Sequence, residues 1–516
     1  MRRNIFNIIC ISLCTTLYSA SASAQASAAT TRIDRNISIF NDVFRQLDIS
    51  YSDTLNYDEL TETALNALLH KVDPYTVYVP ESKDDDLKRL TTGKYGGIGA
   101  LIMQRQDKDY ITISDPYESL PAQRNDVRAG DMILEVDGTD CKGKTTAEVS
   151  ALLRGKAGTT VKLKLQRPEQ KKPVIKEFTR EEIKLPTVDY SALVSPTTGY
   201  ISFSEFTEDA SQEFRHALEQ LVAEGCQELI IDLRGNGGGL ISEAISIVSL
   251  FVPKGTEVVS TKGKLPNASR VYKTTTQPLY PDMPLYVLVD EHSASASEIT
   301  CGALQDLHRA TLYGCKTFGK GLVQNIRNVS YGGHLKVTTA RYYLPSGRCI
   351  QGTGIEPDIE VNDSSKVNIC YELYRKNLFF DYATQYTLSH NSYSKPSTFI
   401  KTQAVDSALL RDFEVYLNDK EFTYETETSK YFADILRLAS QEDLDSTMVA
   451  ELKSVQEKLK TGFHDALWKH ADEVQNFLQQ EIASRYYYQK GRTAIKLQRD
   501  PYLLRVLNKD TVPERR

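Results

Sequence analysis

Residues 284–307 read "PLYVLVDEHSASASEITCGALQDL", and this stretch decides the fold class. A short apolar run, typical of a buried strand, leads into a turn, and a helix-forming segment follows the turn. Strands that pass directly into helices predict an α/β layered domain. The turn also carries three serines, Ser293, Ser295 and Ser297, and the chemistry of the site depends on which of them is a nucleophile.

Ser295 has two interpretations that its own neighbourhood leaves open. With Glu298 three residues later it forms the pattern of a capping box, which is a structural role. The same position brings a hydroxyl to a helix N-terminus, where amide donors and the helix dipole stabilise a developing oxyanion. A nucleophilic serine also needs a base, and neither His292 nor His308 has an evident carboxylate partner to orient it.

Lys320, in "KTFGKGLVQN" (316–325), is the better candidate for the base. Gly319 and Gly321 flank it and allow the backbone to approach another element closely. A lysine acts as a base only when it is neutral, and burial in an apolar site free of other cations is expected to lower its pKa from about 10.4. Gln324 can accept a hydrogen bond from the amine without adding a charge, whereas a carboxylate there would raise the pKa. The structural alternative is an ordinary exposed lysine.

The glycine-rich segment "DLRGNGGG" (232–239) follows a predicted buried strand. Such a loop raises the alternative of a nucleotide site, but Leu240 stands where the dinucleotide pattern needs glycine, and no GKS or GKT follows. We expect the backbone amides of Gly237 and Gly238 to form an oxyanion hole together with that of Ala296.

Composition excludes several classes of function. The 516 residues suffice for three or four domains, and 62 Lys and Arg against 68 Asp and Glu give a net charge of -6 without a basic run. No nucleic-acid partner is therefore expected. The histidines and cysteines form no HExxH, CxxC or close Cys/His cluster, so we expect neither a metal nor another cofactor, and no disulfide is assigned.

The first 25 residues, "MRRNIFNIICISLCTTLYSASASAQ", predict a signal peptide over residues 1–24. Two arginines precede an apolar run that is shorter than the roughly 20 residues of a membrane anchor. A lipoprotein that uses Cys10 or Cys14 is the minor alternative, because no small residue precedes either cysteine. The expected location is the periplasm, with association with the membrane as a second expectation.

The pattern of apolar and turn-forming residues along the remaining chain predicts four regions. Ile39, Val43 and Leu47 at spacing four indicate a helix near the start, and short alternating runs later indicate strands. Near the end, an apolar stripe on one helical face is interpreted as core rather than as a partner surface. The stripe comprises Leu459, Phe463, Leu467, Val474, Phe477, Leu478 and Ile482. The regions are an N-terminal helical region (25–84), a strand-rich domain (85–181), an α/β domain (182–365) and a C-terminal helical region (366–516).

Five stretches resemble the carboxy-terminal processing (tail-specific) protease family over about residues 35–365. They are "VDPYTVYVP", "IIDLRGNGGGL", "SASASEITCGALQD", "KTFGKGLVQ" and "YYLPSGRCIQGTGIEPDI". The resemblance implies a cofactor-free serine endopeptidase with a crotonase/ClpP-like α/β core and a Ser/Lys dyad. It makes Ser295 the nucleophile, Lys320 the general base and Gln324 the residue that orients the lysine. Asp306 matches an acidic position that supports the site.

Residues 85–181 resemble the PDZ domain that this family inserts before its protease core. The resemblance implies that the amides of Gly97, Ile98 and Gly99 bind the C-terminal carboxylate of a substrate, while the tail adds as a strand beside "IGALIM". Val149 and Leu152 would line the side-chain pocket.

The expected function is therefore an exported endopeptidase that binds protein substrates by their exposed C-terminal tails. The main alternative is a non-enzymatic PDZ adaptor with an inactive protease-like core. A homodimer through the helical regions is a further expectation, and residues 366–516 match no motif that assigns them a role.

Overall fold

The computed structural model describes residues 32–361, 368–397, 405–442, 444–459 and 462–508, without the side chains of residues 84–86 and 90. The predicted signal peptide, residues 1–24, lies outside the described residues. Within these ranges no helix combines the length and the hydropathy that crossing a membrane requires. The chain forms two compact units that divide between Pro80 and Glu81.

The first unit is mostly helical. Its elements are helix α1 (32–50), helix α2 (Tyr57–His70) and strand β1 (Val77–Val79). The helix predicted around Ile39, Val43 and Leu47 is present, and all three side chains are exposed. Asn56 begins α2 as its N-cap and accepts a hydrogen bond from an amide of the first turn. The apolar stripe of α1 therefore lies open to solvent.

The second unit begins with a strand-rich domain. Its helices are α3 (Asp84–Thr92), α4 (Pro121–Arg124) and α5 (Thr146–Leu153). Its strands are β2 (Lys94–Gly97), β3 (Ala100–Met103), β4 (Thr112–Pro116), β5 (Met132–Val136), β6 (Thr139–Asp140), β7 (Thr160–Gln166), β8 (Val174–Thr179) and β9 (Glu181–Lys184). Strands β3, β4, β5, β7 and β8 form one antiparallel sheet in that order, and β2 pairs with β9. Alternating residues such as Val161, Leu163 and Leu165 fill its core, as the period of two predicts.

The α/β domain follows. Its helices are α6 (Ala210–Ala223), α7 (Ile241–Val248) and α8 (Ala296–Asp306). Its strands are β10 (Val188–Leu193), β11 (Thr198–Phe203), β12 (Glu228–Asp232), β13 (Glu257–Gly263), β14 (Arg270–Lys273), β15 (Leu285–Val289), β16 (Ala310–Gly314), β17 (Leu322–Asn328), β18 (His334–Tyr343) and β19 (Ile359–Glu360). The predicted strand-to-helix passage of residues 284–307 is confirmed as β15 followed by α8.

A six-stranded sheet organises this domain in the order β10-β11-β12-β15-β16-β19. In this sheet β11, β12, β15, β16 and β19 run parallel, and β10 is antiparallel to β11. Helices α6, α7 and α8 pack on one face of the sheet. Strands β17, β18, β13 and β14 pair antiparallel outside this sheet. Parallel strands bring their carboxyl ends to one edge, where the segment after β12 and the serine turn after β15 meet.

The C-terminal helical domain contains eight helices within its described residues. They are α9 (Ile369–Arg375), α10 (Leu378–Ser389), α11 (Ser407–Asp419), α12 (Glu427–Gln441), α13 (Ser446–Leu459), α14 (Phe463–Lys469), α15 (Ala471–Leu497) and α16 (Pro501–Leu507). Leu467, Val474, Leu478 and Ile482 are buried in the core of this domain, as predicted. Their stripe is nevertheless divided among three helices, since a new helix starts at the Gly462 N-cap and another follows the non-helical backbone of His470.

The end of this domain covers the second face of the six-stranded sheet. Leu497, Tyr502, Leu503 and Val506 pack with sheet residues of the opposite face from α8, among them Tyr200. The sheet is therefore enclosed by α6 to α8 on one side and by α15 and α16 on the other. The sequence left residues 366–516 without a role, and within their described part the segment from Ala494 to Leu507 packs against the sheet of the α/β domain.

Candidate active site

Ser295 occupies a strained position between β15 and α8. It is the N-cap of α8 with φ 58° and ψ −114°, a conformation that a residue with a side chain rarely adopts. Such strain persists where surrounding contacts hold it, and it concentrates at functional sites. Glu298 Oε2 accepts a hydrogen bond from the Ser295 amide at 2.9 Å, which is the carboxylate half of the predicted capping box.

The three serines of the turn differ in access. Ser293 and Ser297 are completely buried. Their hydroxyls donate to the carbonyl oxygens of Leu233 at 2.8 Å and of Asn236 at 2.9 Å. Ser295 is only half-buried. Of the three, Ser295 is therefore the one that a substrate can reach.

Glu298 joins the serine turn to the loop that carries Lys320 (residues 315–321, the lysine loop). Its side chain is completely buried. Oε2 accepts the amides of Ser295 at 2.9 Å and Lys320 at 2.8 Å, and Oε1 accepts the Gly319 amide at 2.7 Å and the Thr317 hydroxyl at 2.6 Å. One carboxylate thus holds the backbones of the expected nucleophile and the expected base together. The sequence identified Glu298 only as a cap, and its burial among tertiary contacts was not evident from the local pattern.

Tyr342 makes a second connection between the same two residues. Its side chain comes from β18 and is 1% exposed. The hydroxyl lies within hydrogen-bonding distance of the carbonyl oxygens of Ser295, at 3.2 Å, and of Lys320. No local sequence signal indicated this role, because Tyr342 reaches the site only through the tertiary fold.

The pKa of Lys320 is lowered, in the direction that a general base requires. Burial is the largest cause, the positive charge of Lys336 adds to it, and the charge of Glu298 opposes it. The local sequence gave no indication of Lys336, which β18 brings close enough for its positive charge to act on Lys320. The added cation lowers the pKa further, since it disfavours the protonated form.

Gln324 lies on β17, opposite Thr338 of β18. Its side-chain nitrogen donates to Thr338 Oγ1 at 3.2 Å. The bond orients the amide, since its nitrogen is turned towards the hydroxyl. Gln324 is half-buried and belongs to the same segment as Lys320.

The glycine loop (residues 233–239) packs directly against the serine turn. Gly238 has φ +98°, and a Cβ there would lie 2.6 Å from the Ala294 carbonyl oxygen and 2.7 Å from Ser295 Cβ. Only glycine permits this approach. The Gly238 amide, one of the expected oxyanion donors, donates instead to Asn236 Oδ1 at 2.9 Å. Gly237 is exposed, and Ala296 is the first residue of α8.

Asn236 fastens the glycine loop to the rest of the site. It is completely buried, and its side-chain nitrogen donates to the Phe203 carbonyl oxygen at 2.7 Å. Its own carbonyl oxygen accepts the Ala294 amide at 3.0 Å and the Ser297 hydroxyl at 2.9 Å. Sequence reasoning treated this residue only as part of a glycine-rich pattern.

Asp306 lies at the opposite end of α8 from Ser295. It accepts the Ser346 amide at 2.9 Å and pairs with Arg348 at 2.8 Å. The loop that carries Ser346 and Arg348 also carries Gln351, whose Oε1 accepts a hydrogen bond from the Gly321 amide at 2.8 Å. Asp306 thus connects with the lysine loop through an intervening loop, and its contacts with Ser346 and Arg348 do not reach Ser295.

The expected tail-binding residues lie in the strand-rich domain. Gly97 ends β2, and Ile98 and Gly99 connect it to β3. Gly99 has φ +70°, and a Cβ there would lie 2.6 Å from Leu120 Cβ. Val149 is completely buried in the domain core, so it offers no surface to a ligand, whereas Leu152 is half-buried at the edge of that core.

A metal site is not indicated among the described residues, where no three His, Cys, Asp or Glu side chains come together to hold an ion. Cysteines 141, 226, 301, 315, 349 and 370 are all free thiols.

Three sequence families match successive parts of this chain. Peptidase family S41 matches residues 197–361, a PDZ domain matches residues 112–167, and the C-terminal helical domain of a probable PDZ-protease matches residues 369–507. The first match contains the glycine loop, Ser295 and Lys320, and the second runs from β4 to β7.

Individual proteins give similar results. The chain is 36% identical over 351 residues to a carboxy-terminal-processing protease of Bartonella bacilliformis, which is 66% of this chain and 80% of that protein. It is 34% identical over 329 residues to a probable CtpA-like serine protease of Staphylococcus aureus, covering 63% of this chain and 65% of that protein. Among solved structures, the photosystem II D1 C-terminal processing protease matches at 28% identity and a TM-score of 0.39, over 63% of this chain and 87% of that one.

These relatives are proteases, which favours an enzyme over the alternative of a non-enzymatic PDZ adaptor. The strand-rich domain is accordingly a PDZ domain, and the α/β domain with its serine turn is the peptidase domain. The chain belongs to peptidase family S41, as a serine-type carboxy-terminal-processing peptidase that carries a PDZ domain.

Proposed function

We propose that this peptidase binds the exposed C-terminal tail of a protein substrate in its PDZ domain and cleaves the tethered chain with a Ser295–Lys320 dyad. The observation that carries the proposal is the buried Glu298 carboxylate, whose single oxygen Oε2 accepts the amides of both residues. We infer a crotonase/ClpP-like core for the peptidase domain. The alternative of nucleotide chemistry at the glycine loop is not favoured, because this loop packs on the serine turn.

Ser295 attacks the scissile carbonyl carbon, and neutral Lys320 takes the hydroxyl proton. The C–N bond then breaks, and the lysine returns the proton to the leaving amine. Water repeats the sequence on the acyl-enzyme and releases the new C-terminus. The lowered pKa of Lys320 supports this role, because a larger fraction of the amine is neutral at a given pH. Gln324 orients the lysine.

The amides of Gly237 and Ala296 bind the oxyanion. Ala296 starts α8, where amides have no partner within the helix and the helix dipole favours negative charge. Gly238 contributes by its contact with Ser295, which sets the distance between the glycine loop and α8. Asp306 supports the site indirectly, because it binds the loop whose Gln351 binds the Gly321 amide.

In the PDZ domain, the amides of Gly97, Ile98 and Gly99 receive the carboxylate of the tail, and the tail adds beside β3. Leu152 supplies apolar surface for its last side chains. Val149 acts behind it as core packing, since it is completely buried. No cofactor takes part.

We further propose that the enzyme is exported to the periplasm after removal of residues 1–24. Its regions are then 25–84, the PDZ domain 85–181, the peptidase core 182–365 and the helical region 366–516. The exposed apolar stripe of α1, with Ile39 and Val43, supports a homodimer through helical regions.

The test is cleavage of an unfolded protein with an apolar C-terminal tail by Ser295→Ala, Lys320→Ala and Lys316→Ala variants. Lys316 is the matched control, because it is in the same loop but pairs with Glu356 at the surface, where its side chain is 54% exposed. We expect the first two variants to lose cleavage with unchanged unfolding temperatures, and the control to stay within twofold of the wild type. Full activity in Ser295→Ala or Lys320→Ala would overturn the dyad.

A further inference from the structure

The glycine loop is attached to the C-terminal helical domain at its first polar residue, Arg234. We propose that this domain positions the oxyanion amides through an ion pair between Arg234 and Asp500, which makes Asp500 a positioning residue for peptide hydrolysis. The inference rests on the proposed function, in which Gly237 of the same loop binds the oxyanion.

The Arg234 guanidinium is held by two carboxylates. Nε donates to Asp232 Oδ1 at 2.9 Å, and Nη2 donates to Asp232 Oδ2 at 2.5 Å. Nη1 and Nη2 also donate to Asp500 Oδ1 at 3.1 Å and Oδ2 at 2.8 Å. Two parallel hydrogen bonds to one carboxylate fix orientation as well as distance. Asp500 therefore fixes the arginine together with Asp232, and it accepts the hydrogen bond that Nη1 donates.

This network is shielded from solvent. The side chains of Asp500, Asp232 and Arg234 are 2%, 8% and 16% exposed. The Tyr502 ring lies 4.6 Å from the guanidinium carbon, and the Tyr200 hydroxyl donates to Asp232 Oδ2 at 2.6 Å. Removal of one partner from a buried ion pair is strongly destabilising, because the other charge is then left without its counterion. The contact is thus not a surface ion pair of little consequence.

Asp500 is itself placed rigidly. It is the N-cap of α16, and its Oδ1 accepts the amides of Tyr502 at 2.9 Å and Leu503 at 3.1 Å. Leu503 and Val506 of the same helix are buried on the sheet face opposite α8. The helix that carries Asp500 therefore has a fixed position relative to the sheet.

The glycine loop passes this constraint to the reacting residues. Near its start, the backbone and side chain of Arg234 are both bound to Asp232, and the loop reaches Ser295 at Gly238. Glycine backbones have more conformational freedom than others, so a loop made of them depends on its fixed ends. A shift of Arg234 therefore moves Gly237 relative to Ala296. The predicted result is a misplaced oxyanion hole with an intact PDZ domain.

The decisive variant is Asp500→Asn. Asparagine is also a favourable N-cap, so α16 keeps its start while the charge that faces Arg234 is lost. We expect kcat to fall about ten- to hundredfold, the effect of misplacing a catalytic group by about an ångström, with KM within twofold. Affinity for a peptidyl boronic acid, whose tetrahedral adduct with Ser295 places an oxygen in the oxyanion hole, should fall in parallel with kcat.

The matched control is Asp381→Asn. Asp381 belongs to the same helical domain and accepts Arg105 Nη1 at 2.6 Å and Nη2 at 2.7 Å, but this pair connects the domain to the PDZ domain. We expect kcat and boronate affinity of this variant within twofold of the wild type. Equal losses in both variants would overturn the proposal, since general loosening of the helical domain would then explain them. An unchanged kcat in Asp500→Asn would overturn it too.

A second variant covers the case in which Asp500→Asn unfolds. Arg234→Lys keeps the charge but loses the bidentate geometry, and it should reproduce the fall in kcat at an unchanged unfolding temperature. In the double variant we expect no further loss, because both changes remove one interaction; additive losses would contradict the coupling. Failure of the proposed function looks different, because the wild type would then bind no boronate and Ser295→Ala would retain activity.

Discussion

At the scale of single residues, the pKa of Lys320 depends on two neighbours of opposite charge. Glu298 is needed to hold its backbone, yet the negative charge of that carboxylate raises the pKa of the amine. Burial and the Lys336 ammonium outweigh this effect and lower the pKa. Lys336 therefore offsets part of the rise in the Lys320 pKa that Glu298 causes, while Glu298 remains available to bind the backbone amide of Lys320.

A Lys336→Gln variant tests this compensation. Loss of the neighbouring positive charge favours protonation of Lys320, so its pKa rises and the acid limb of the kcat/KM profile moves to higher pH. The measurement is kcat/KM against pH for wild type and variant. Lys262→Gln, an exposed lysine over the Tyr343 ring, serves as the control and should leave the limb in place. A shift to lower pH, or none, would contradict the assignment of Lys320 as the base.

At the scale of elements, the site is a junction between the glycine loop and the start of α8. The close approach of Gly238 to Ser295 requires both a positive φ and the absence of a Cβ. Gly235, in the same loop, also has a positive φ of +72°, but a Cβ there would meet no atom within 4 Å. A comparison of the two positions therefore distinguishes the effect of backbone strain, which both share, from the effect of contact with the serine turn, which only Gly238 has.

Alanine at each position gives the corresponding prediction. Gly238→Ala should lose at least about a hundredfold in kcat and about 1–3 kcal/mol in the free energy of unfolding, since the loop must move away from Ser295. Gly235→Ala should lower the free energy of unfolding by about 1 kcal/mol and leave most activity, because the new side chain strains the backbone but meets no other atom. Urea denaturation and steady-state kinetics measure both effects. Similar activities for the two variants would show that the junction does not control the reaction.

At the scale of the whole molecule, a buried carboxylate lies where the PDZ domain meets the C-terminal helical domain. Asp115 is 2% exposed, and Arg492 of α15 lies 3.5 Å from its Oδ2. Burial raises the pKa of Asp115 to about 6, although Arg492 and Arg485 act in the lowering direction, and Glu481 adds to the rise. The folded state therefore binds the proton of Asp115 more tightly than the unfolded chain does. Its stabilising contribution is complete below about pH 4 and is lost as the pH rises through about 6.

Asp115→Asn removes this pH dependence. The variant should be more stable than the wild type at pH 8, by up to about 3 kcal/mol, and nearly equal to it at the lowest pH that both tolerate. Asp107→Asn should not stabilise, because the pKa of Asp107 is lowered beside Arg105. Denaturant unfolding at several pH values provides the comparison. Lower stability of Asp115→Asn at pH 8 would mean that attraction to Arg492 exceeds the cost of burial.

Local signals in the sequence predicted much of the fold, and they singled out Ser295 and Lys320, the two residues whose amides Glu298 Oε2 binds. The passage from β15 through Ser295 into α8 follows from an apolar run, a capping pattern and a helix-forming segment. Lys320 stood out because glycines flank it in an apolar segment. These features depend on neighbours within a few residues, so periodicity and turn chemistry describe them well.

Contacts between distant segments could not be predicted in this way. Tyr342 and Lys336 lie near Lys320 only because β18 pairs with β17, and Asp500 contacts Arg234 only because α16 returns to the sheet. The burial of Val149 depends on how α5 packs, which the helical pattern alone leaves open. The division of the C-terminal stripe at Gly462 and His470 likewise depends on tertiary packing rather than on apolar spacing.

The return of α16 to the far face of the sheet also affects when an active enzyme exists during its synthesis. A ribosome that has completed β19 has already made Ser295 and Lys320, but Asp500 and the residues that cover the sheet come much later. On the proposed coupling, the nascent chain carries the dyad without a fixed oxyanion hole. Full proteolytic activity is then expected only after translation has passed α16, which limits premature cleavage of the nascent chain and its neighbours.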